Sequence, residues 1–332
     1  MANKRITIRE VAKYAGVSIG TVSRFLNNSG YVGKDAREKV EDAVKQLNYL
    51  PNSAARSMIK RKSNIVGIAV PEINNPFLAD LVVKLEDRLT KNNYSMMLCN
   101  TKFSREKIAN FVDDLIMRNA EGLILVSINV KEKKVIQKMG EYMRTISIGE
   151  HVAYFDCIKL TDYSAACSLT QYLIDMGHRK IAFVGFHPNS TQTMERLQGY
   201  KDTLEKNGLP LIDGYMLKTS SEYDETKKLL EEKDPPTAII NINDFNALKS
   251  YDEIAKKGLT VGKEVSVVGF DDISVARFLS PALTTVACDT KKMAVDAVAM
   301  LLHNIREDSK GSGLEVELPA QMVVRDSVAD LR

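Results

Sequence analysis

A short segment near the start of the chain surrounds one arginine, Arg24, with hydrogen-bonding side chains. The planar guanidinium of an arginine can donate two parallel hydrogen bonds to the edge of a guanine base. Side chains of the kind that contact phosphates and fix the register of a protein on a duplex lie around it, namely Ser18, Thr21, Asn27 and Tyr31. This composition indicates sequence-specific DNA recognition, although a helical hairpin with one surface arginine would share it.

Three short helices would position this segment. Thr7, followed three residues later by a glutamate, forms the capping box that begins a helix over about 8–14. Gly16 provides the backbone freedom that a tight turn needs, and a hydroxyl caps a second helix over about 18–26. A third helix over about 35–48 has apolar residues on one face. Two helices joined by a glycine turn form a helix-turn-helix, and the third closes a small core.

A helix-turn-helix inserts the N-terminal part of its second helix into the major groove of DNA. In this chain that part carries Ile19 and Gly20, with Arg24 one turn further along. We therefore expect Ile19, Gly20 and Arg24 to face the base edges, while the hydroxyl and amide groups around them contact the backbone.

Positive charge is concentrated at the N-terminal end. The chain of 332 residues has a formal net charge of +3, whereas residues 1–62 contain 13 Lys and Arg against 5 Asp and Glu. A basic block ahead of a mildly acidic body is typical of a nucleic-acid-binding head joined to a second domain. No run of about 18 apolar residues is present to span a bilayer, and no apolar signal-peptide core follows the first charged residues. We expect a cytoplasmic protein with no membrane partner.

Residues 51–62 are predicted to be a hinge helix and linker between the head, residues 1–50, and the body, residues 63–332. Pro51 starts the segment and Asn52 can cap a helix of only two turns. A helix of this length is marginal in isolation. The segment is either an element that a ligand-dependent switch can bias or a plain basic linker.

The body alternates short apolar runs with helical patterns. The first series predicts strands near 65–70, 94–99, 121–126 and 145–148, with helices near 77–92, 104–118 and 131–142. The second series predicts strands near 180–186, 214–217, 237–242 and 265–270, with helices near 163–176, 192–206, 222–232 and 243–257. A further helix near 290–306 and a strand near 320–324 follow. This alternation is typical of parallel α/β units and predicts two similar lobes.

Polar and aromatic residues follow the predicted strands, which is where ligands bind in open parallel sheets. Asn75 and Phe77 follow the first strand, Ser127 follows the third, and Asn243 and Asp271 follow strands of the second series. Amides, hydroxyls, carboxylates and an aromatic ring suit a ligand with many hydroxyl groups. The structural alternatives are a helix cap for Asn243, a turn cap for Asp271 and a core position for Phe77.

The signals of common enzyme and metal sites are missing. The sequence has no GxGxxG after a strand, no GxxxxGK[ST] and no HExxH. The cysteines form no CxxC pair; they are Cys99, Cys157, Cys167 and Cys288. The histidines are dispersed along the chain, at His151, His178, His187 and His303. We predict no enzymatic activity, no metal and no cofactor. An exported sugar-binding protein is a second alternative, which the basic head and the missing signal peptide disfavour.

Several motifs together resemble the LacI/GalR family of bacterial transcriptional regulators. They are TIREVAKYAGVSIGTVSRFLNNSGYV from residue 7, LNYLPNSAARSM from 47, SNIVGIAVPEINNPFLADL from 63, LIDMGHRKIAFVG from 173, RLQGY from 196, VSVVGFDDIS from 265, PALTTV from 281 and LPAQMVVRDS from 318. The resemblance covers essentially the whole chain. It implies a homodimeric regulator, most often a repressor, that binds a pseudo-palindromic double-stranded DNA operator.

For the linker, the resemblance implies that paired hinge helices enter the minor groove and insert one apolar side chain from each subunit. The matching residue here is Met58 where the family usually has leucine, and an unbranched apolar side chain can still act as a wedge. Asn52, Ala55 and Arg56 would assist DNA binding beside it, together with Thr7 in the head. Gly20 is a second departure, because the family usually has a base-contacting side chain there.

For the body, the resemblance implies a periplasmic-binding-protein-like fold of two lobes with a small ligand gripped between them. The first lobe would comprise about 63–160 and 290–318, and the second about 161–289 and 319–332. Family effectors are mostly sugars or purines, and the polar residues favour a sugar. The resemblance adds Arg196, with Asn243 and Asp271, as effector contacts, although Arg196 would otherwise pair with an acid on a helix face.

Overall fold

The structure, a computed structural model, describes residues 6–27, 29–49, 63–219 and 224–332. The chain divides into two compact units, Met1–Ser63 and Asn64–Arg332. The first is called the head below and the second the body. The predicted linker contacts Asn52, Ala55, Arg56 and Met58 lie outside the described residues.

The head contains the predicted helix-turn-helix and its third helix. Its helices are α1 (Ile8–Ala15), α2 (Ile19–Asn27) and α3 (Lys34–Gln46). Both halves of the capping box form between Thr7 and Glu10, and Gly16 takes the left-handed conformation, with φ 66°, that ends α1. The apolar faces of the three helices meet in one buried cluster that includes Val11, Val22 and Val40. The head therefore has a core of its own, and the opposite face of α2 is exposed.

The body alternates strands and helices as the sequence predicts. In chain order its elements are β1 (Ile65–Val70), α4 (Pro76–Lys91), β2 (Ser95–Asn100), α5 (Arg105–Met117), β3 (Gly122–Val126), α6 (Lys133–Tyr142), β4 (Arg144–Ile148), β5 (Asp156–Leu160), α7 (Asp162–Asp175), β6 (Ile181–Phe186), α8 (Thr191–Lys206), β7 (Met216–Lys218), α9 (Glu225–Glu231), β8 (Ala238–Asn241), α10 (Asp244–Lys256), β9 (Ser266–Val268), a short 3-10 turn (Ala276–Phe278), β10 (Thr285–Cys288), α11 (Thr290–Arg306), β11 (Glu315–Leu318) and β12 (Ala320–Val323).

Two parallel sheets organise the body into lobes, which confirms the predicted fold class. Lobe one has the strand order β11-β5-β4-β3-β1-β2, and lobe two has the order β7-β6-β8-β9. All neighbouring strands in these two sheets run parallel. Apolar side chains are buried on both faces of each sheet, as is usual when helices cover a parallel sheet on both sides.

Three strands, β5, β10 and β11, were not predicted from the sequence. β5 and β11 pair with each other at one side of the lobe-one sheet. β10 pairs with β12, which runs antiparallel to it, and single bridges place β10 beside β9 in lobe two. α11 packs against α4, β3, β4 and β5 of lobe one. The chain therefore passes from one lobe to the other at residues 161, 289 and 319.

No helix in the described parts of the chain is long and apolar enough to cross a membrane.

Candidate functional site

The exposed face of α2 carries the residues predicted to reach base edges. Ile19 is 45% exposed, and Gly20 and Arg24 are exposed beside it. The Nε of Arg24 donates to the carbonyl oxygen of Gly20 at 3.3 Å, and no carboxylate among the described residues pairs with this guanidinium. Tyr31 is 88% exposed. We call Ile19, Gly20 and Arg24 the recognition face.

The hydroxyl and amide groups predicted to contact phosphates also hold the local structure. The Ser18 hydroxyl accepts a hydrogen bond from the backbone N–H of Thr21 at 3.1 Å, so it caps α2, and the two hydroxyls lie 2.9 Å apart. The Asn27 amide donates to the carbonyl oxygen of Ser23 at 2.9 Å. The Thr7 hydroxyl belongs to the capping box of α1. A hydroxyl has two lone pairs and one proton, so a cap can still contact a phosphate.

Arg196 lies in the interior of lobe two and is held from two sides. Its Nε donates to the Asp162 carboxylate at 2.6 Å, and its Nη1 donates to the carbonyl oxygen of Ile242 at 2.5 Å. The guanidinium carbon lies 4.3 Å from the centre of the Phe270 ring. The remaining nitrogen, Nη2, lies 3.9 Å from a carboxylate oxygen of Asp271. That separation is too long for a direct hydrogen bond.

Close packing of two helices explains why Arg196 meets Asp162. Asp162 is the first residue of α7 and Arg196 lies on α8. A Cβ atom at Gly199 would approach the carbonyl oxygen of Tyr163 to 2.4 Å, closer than atoms can pack. The glycine therefore lets the two helices come together, which positions the buried ion pair.

Asp271 occupies a strained backbone position after β9. Its φ is 106°, a conformation that favours glycine, and its side chain is 7% exposed. Its backbone N–H donates to the carbonyl oxygen of Val286 at 2.8 Å, so the neighbouring strand holds the residue in place. Such strain persists where the surrounding structure fixes it, often at ligand sites.

Burial and neighbouring charges act differently on the two members of this pair. Burial raises the pKa of Asp271 to about 7, although the charge of Arg196 opposes the rise. For Arg196, burial works to lower the pKa, but the carboxylates of Asp162 and Asp271 outweigh it and raise the pKa above its ordinary value. Burial also raises the pKa of the neighbouring Asp244 well above its usual range. Arg196 is thus fixed as a cation, whereas the Asp271 carboxylate has no direct donor among the described residues and carries its charge at a cost.

The other predicted effector residues have mixed environments. The side-chain oxygens of Asn75 and Asn243 cap α4 and α10, accepting from the backbone N–H groups of Phe77 at 2.9 Å and Asn246 at 2.8 Å. Phe77 is half-buried and packs against apolar clusters of both lobes. Ser127 follows β3 with a φ of 51°. The helix cap that was an alternative for Asn243 is therefore present, Asn75 makes the same kind of cap, and the two amide nitrogens remain for other partners.

A cavity of about 320 Å³ is lined by residues of both lobes. Phe77, Asp271, Ile273 and Cys288 line it together with two ion pairs, which join Lys84 to Asp80 at 2.5 Å and Arg325 to Asp272 at 2.6 Å. Arg196 does not line the cavity but approaches Asp271 from lobe two. The size lies within the range of small-molecule pockets. We call the space between the lobes that contains this cavity the cleft.

Sequence reasoning missed Asp162, the partner that orients Arg196. It comes two residues after β5, a strand that was not predicted. Had Asp156–Leu160 been identified as a strand, Asp162 would have appeared as one more polar residue at a carboxyl strand end. Asp162 can therefore be identified from the sequence only after the strand before it has been recognised.

Comparisons with known proteins agree with the two-part architecture. Residues 7–52 match the family described as bacterial regulatory proteins, lacI family, and residues 170–328 match the periplasmic binding protein-like domain. The HTH-type transcriptional repressor PurR of Histophilus somni (strain 129Pt) is 31% identical over 333 residues, covering 98% of this chain and 99% of the relative. A crystal structure of the lac repressor dimer bound to operator and the anti-inducer ONPF has a TM-score of 0.87 at 26% identity, covering 98% and 100% of the two chains. A complex of the transcriptional regulator CelR with cellobiose has a TM-score of 0.70 at 25% identity, covering 97% and 100%.

Proposed function

We propose that the affinity of this chain for its operator is switched by a sugar bound in the cleft between the two lobes. The chain belongs to the lacI family of bacterial regulatory proteins and is a DNA-binding transcriptional repressor. The observation that carries this proposal is the gap between Arg196 and Asp271. The two groups are 3.9 Å apart and nearly buried, and neither satisfies the other directly.

A hydroxyl group fits this gap chemically. An oxygen placed beside the two side chains, about 2.8 Å from each, would accept from Nη2 of Arg196 and donate its proton to the Asp271 carboxylate. Hydrogen bonds to charged groups are stronger than those between neutral groups. Asp162 and the carbonyl oxygen of Ile242 already hold the guanidinium in place, so the ligand would not have to order it.

The rest of the cleft supports a polyhydroxylated ligand. Phe77 offers a ring face for the apolar side of a sugar, and it already packs against residues of both lobes. Ser127, Asn75 and Asn243 do not line the cavity described above, and we propose that they supply further polar contacts elsewhere in the cleft. The solved relative CelR is a complex with cellobiose, which adds support for a carbohydrate.

On the DNA side, we propose that the recognition face reads the major groove. Arg24 would contact a guanine, Ile19 and Gly20 would lie against neighbouring bases, and Thr7, Ser18, Thr21, Asn27 and Tyr31 would contact the backbone. Asn52, Ala55, Arg56 and Met58 of the linker would enter the minor groove. A homodimer would place two heads on a pseudo-palindromic operator, as in the lac repressor dimer bound to its operator.

Ligand binding would communicate with DNA through the linker. Closing the lobes on a ligand would change the separation of the two linkers of a dimer. A coupling free energy of about 1 to 3 kcal/mol is typical of such linkage.

The test begins with an operator selected from a random pseudo-palindromic DNA pool. Its affinity for the full chain is then measured with a panel of neutral monosaccharides, disaccharides and purine bases. We expect at least one neutral sugar to change operator affinity by about fivefold to 150-fold and to bind in isothermal titration. A response to a purine base alone would show that the sugar assignment is wrong. Failure to select any operator from the pool would contradict the proposed DNA contacts.

A further inference from the structure

One buried carboxylate joins the two lobes at a place that the proposed effector contacts do not use. Glu150 follows β4 of lobe one and is 1% exposed. Its oxygens accept hydrogen bonds from the Ser190 hydroxyl and from the backbone N–H of Thr191 at 2.9 Å. Ser190 caps α8 of lobe two, and Thr191 is the first residue of that helix. A side chain of lobe one therefore completes the N-terminus of a helix in lobe two.

The energetics of this contact favour a specific role. Burying a carboxylate costs free energy unless donors or a cation compensate for the lost water. No described lysine, arginine or histidine forms an ion pair with Glu150, so its charge rests on the donors at the start of α8. The first N–H groups of a helix and the helix dipole attract an anion there.

Other contacts gather at the same rim of the cleft. The amide of Asn129, after β3 of lobe one, lies 3.5 Å from the Glu150 carboxylate and donates to the carbonyl oxygen of Asn189 of lobe two at 3.2 Å. The rings of Phe103 in lobe one and His187 in lobe two are nearly parallel, with centroids 6.5 Å apart. These contacts are partly exposed, so the buried carboxylate is the strongest of the set.

We propose that Glu150 is a latch that holds the two lobes together at this rim in the absence of any ligand. Opening the cleft by separating the lobes would leave the carboxylate and the start of α8 without their partners. The same helix carries Arg196 a turn and a half further along. The latch therefore sets the arrangement of the lobes to which an effector binds. This role does not depend on the identity of the effector.

The test compares the full-length variants Glu150→Ala and Glu150→Gln with the wild type, without ligand. Glu195→Gln is the matched control, because it removes a carboxylate from α8 that makes no hydrogen bond among the described residues. One readout is hydrogen exchange of the peptide spanning residues 187–194. A second, remote readout is the rate at which N-ethylmaleimide labels Cys288, which lines the cavity, with Cys99 and Cys167 as internal standards.

We expect Glu150→Ala to increase both rates by about tenfold to 100-fold, since hydrogen bonds to a buried charge are lost. Glu150→Gln keeps the shape and one acceptor, so a smaller increase of the same two rates is expected. Glu195→Gln should match the wild type. Should the alanine variant fail to fold, the glutamine variant decides.

Two results would overturn the latch. One is faster exchange at 187–194 with unchanged labelling of Cys288, which would make Glu150 a local helix cap. The other is an equal rise in exchange throughout lobe two, which would make it a general stabiliser of that lobe.

Discussion

The recognition face of the head and the cleft of the body use the same kinds of side chain in opposite environments. Arg24 is exposed and bonds weakly to its own helix at 3.3 Å, whereas Arg196 is buried between Asp162, Ile242 and Phe270. One arginine is free to meet a partner that arrives from solvent. The other is oriented before any ligand arrives.

This difference shows how much each region depends on tertiary structure. The recognition face lies on one helix, so helical periodicity and a cap define it. The cleft combines strand ends, helix starts and a strained residue from segments more than 100 residues apart, such as Asp162 and Asp271. Changes in the head should therefore alter DNA binding with little effect on folding, whereas changes in the cleft should alter stability and ligand response together.

The largest effect is expected for Arg196→Ala. Removing the guanidinium leaves the Asp162 carboxylate buried without its partner, and breaking a buried pair typically costs about 3–5 kcal/mol. Differential scanning calorimetry of the full chain should show the body transition at a clearly lower temperature. Arg24→Ala is the control and should leave that transition unchanged. A loss below about 1 kcal/mol would mean that the pair behaves like a surface salt bridge.

A second prediction concerns pH. The pKa of Asp271 is raised to about 7 from 3.8, so the folded body favours the protonated carboxyl. The stabilisation is complete below the unfolded pKa and is lost as pH rises through about 7. The ligand-free body should lose about 1 to 3 kcal/mol between pH 5 and pH 8, measured by urea unfolding.

Asp271→Asn tests the origin of that slope. Asparagine cannot ionise, so the variant should show a flatter dependence, and the remaining slope includes Asp244 and Glu195, whose pKa values are raised in the same direction. An unchanged slope would assign the pH dependence to groups other than Asp271.

Sequence prediction was more complete for the head, whose features are local, than for the body, whose features depend on distant residues. The capping box at Thr7, the turn at Gly16 and the length of α2 were predictable because each depends on residues within one turn. β5 was not, since Asp156 at its start is a buried carboxylate that accepts from Asn304 at 2.8 Å and from the backbone of Ser312 at 2.8 Å. A charged strand end satisfied by residues about 150 positions away carries no local signal.

The cleft was predictable only in part for a related reason. Asp271 was identified because it follows an apolar strand, and the structure adds its strained backbone and its gap to Arg196. The capping role was an open alternative for Asn243 and was not foreseen for Asn75, and both side chains cap helices. Glu150 was not identified, because its partners lie in the other lobe.

A third prediction concerns base readout by the head. Arg24→Ala should reduce discrimination at one base position of each half-site by about 1–3 kcal/mol, since a bidentate contact is lost. Binding to a library of single-base operator variants measures it. Arg37→Ala is the control, because this exposed arginine on α3 stacks over Phe25 and should change affinity equally for all variants. A uniform loss for Arg24→Ala would make that arginine a phosphate contact.

The smallest effect is expected for Ser18→Ala. The hydroxyl accepts from the backbone N–H of Thr21 at 3.1 Å, and loss of an N-cap costs about 1 kcal/mol. Thermal unfolding of the head should shift while the body transition stays constant. Ser29→Ala, at an exposed serine without a side-chain hydrogen bond among the described residues, is the control. Equal shifts for both variants would argue against the capping role.

The coupling between cleft and head is the central claim, and Asp271→Asn tests it most directly. Operator affinity would be measured by fluorescence anisotropy for the wild type and the variant, with increasing amounts of the sugar that the wild type binds in the ligand panel. We predict equal operator affinity without ligand, because the recognition face is untouched, and loss of the ligand-dependent change in the variant. A variant that still binds the sugar and still changes its operator affinity by the wild-type factor would contradict the assignment of the effector to Asp271.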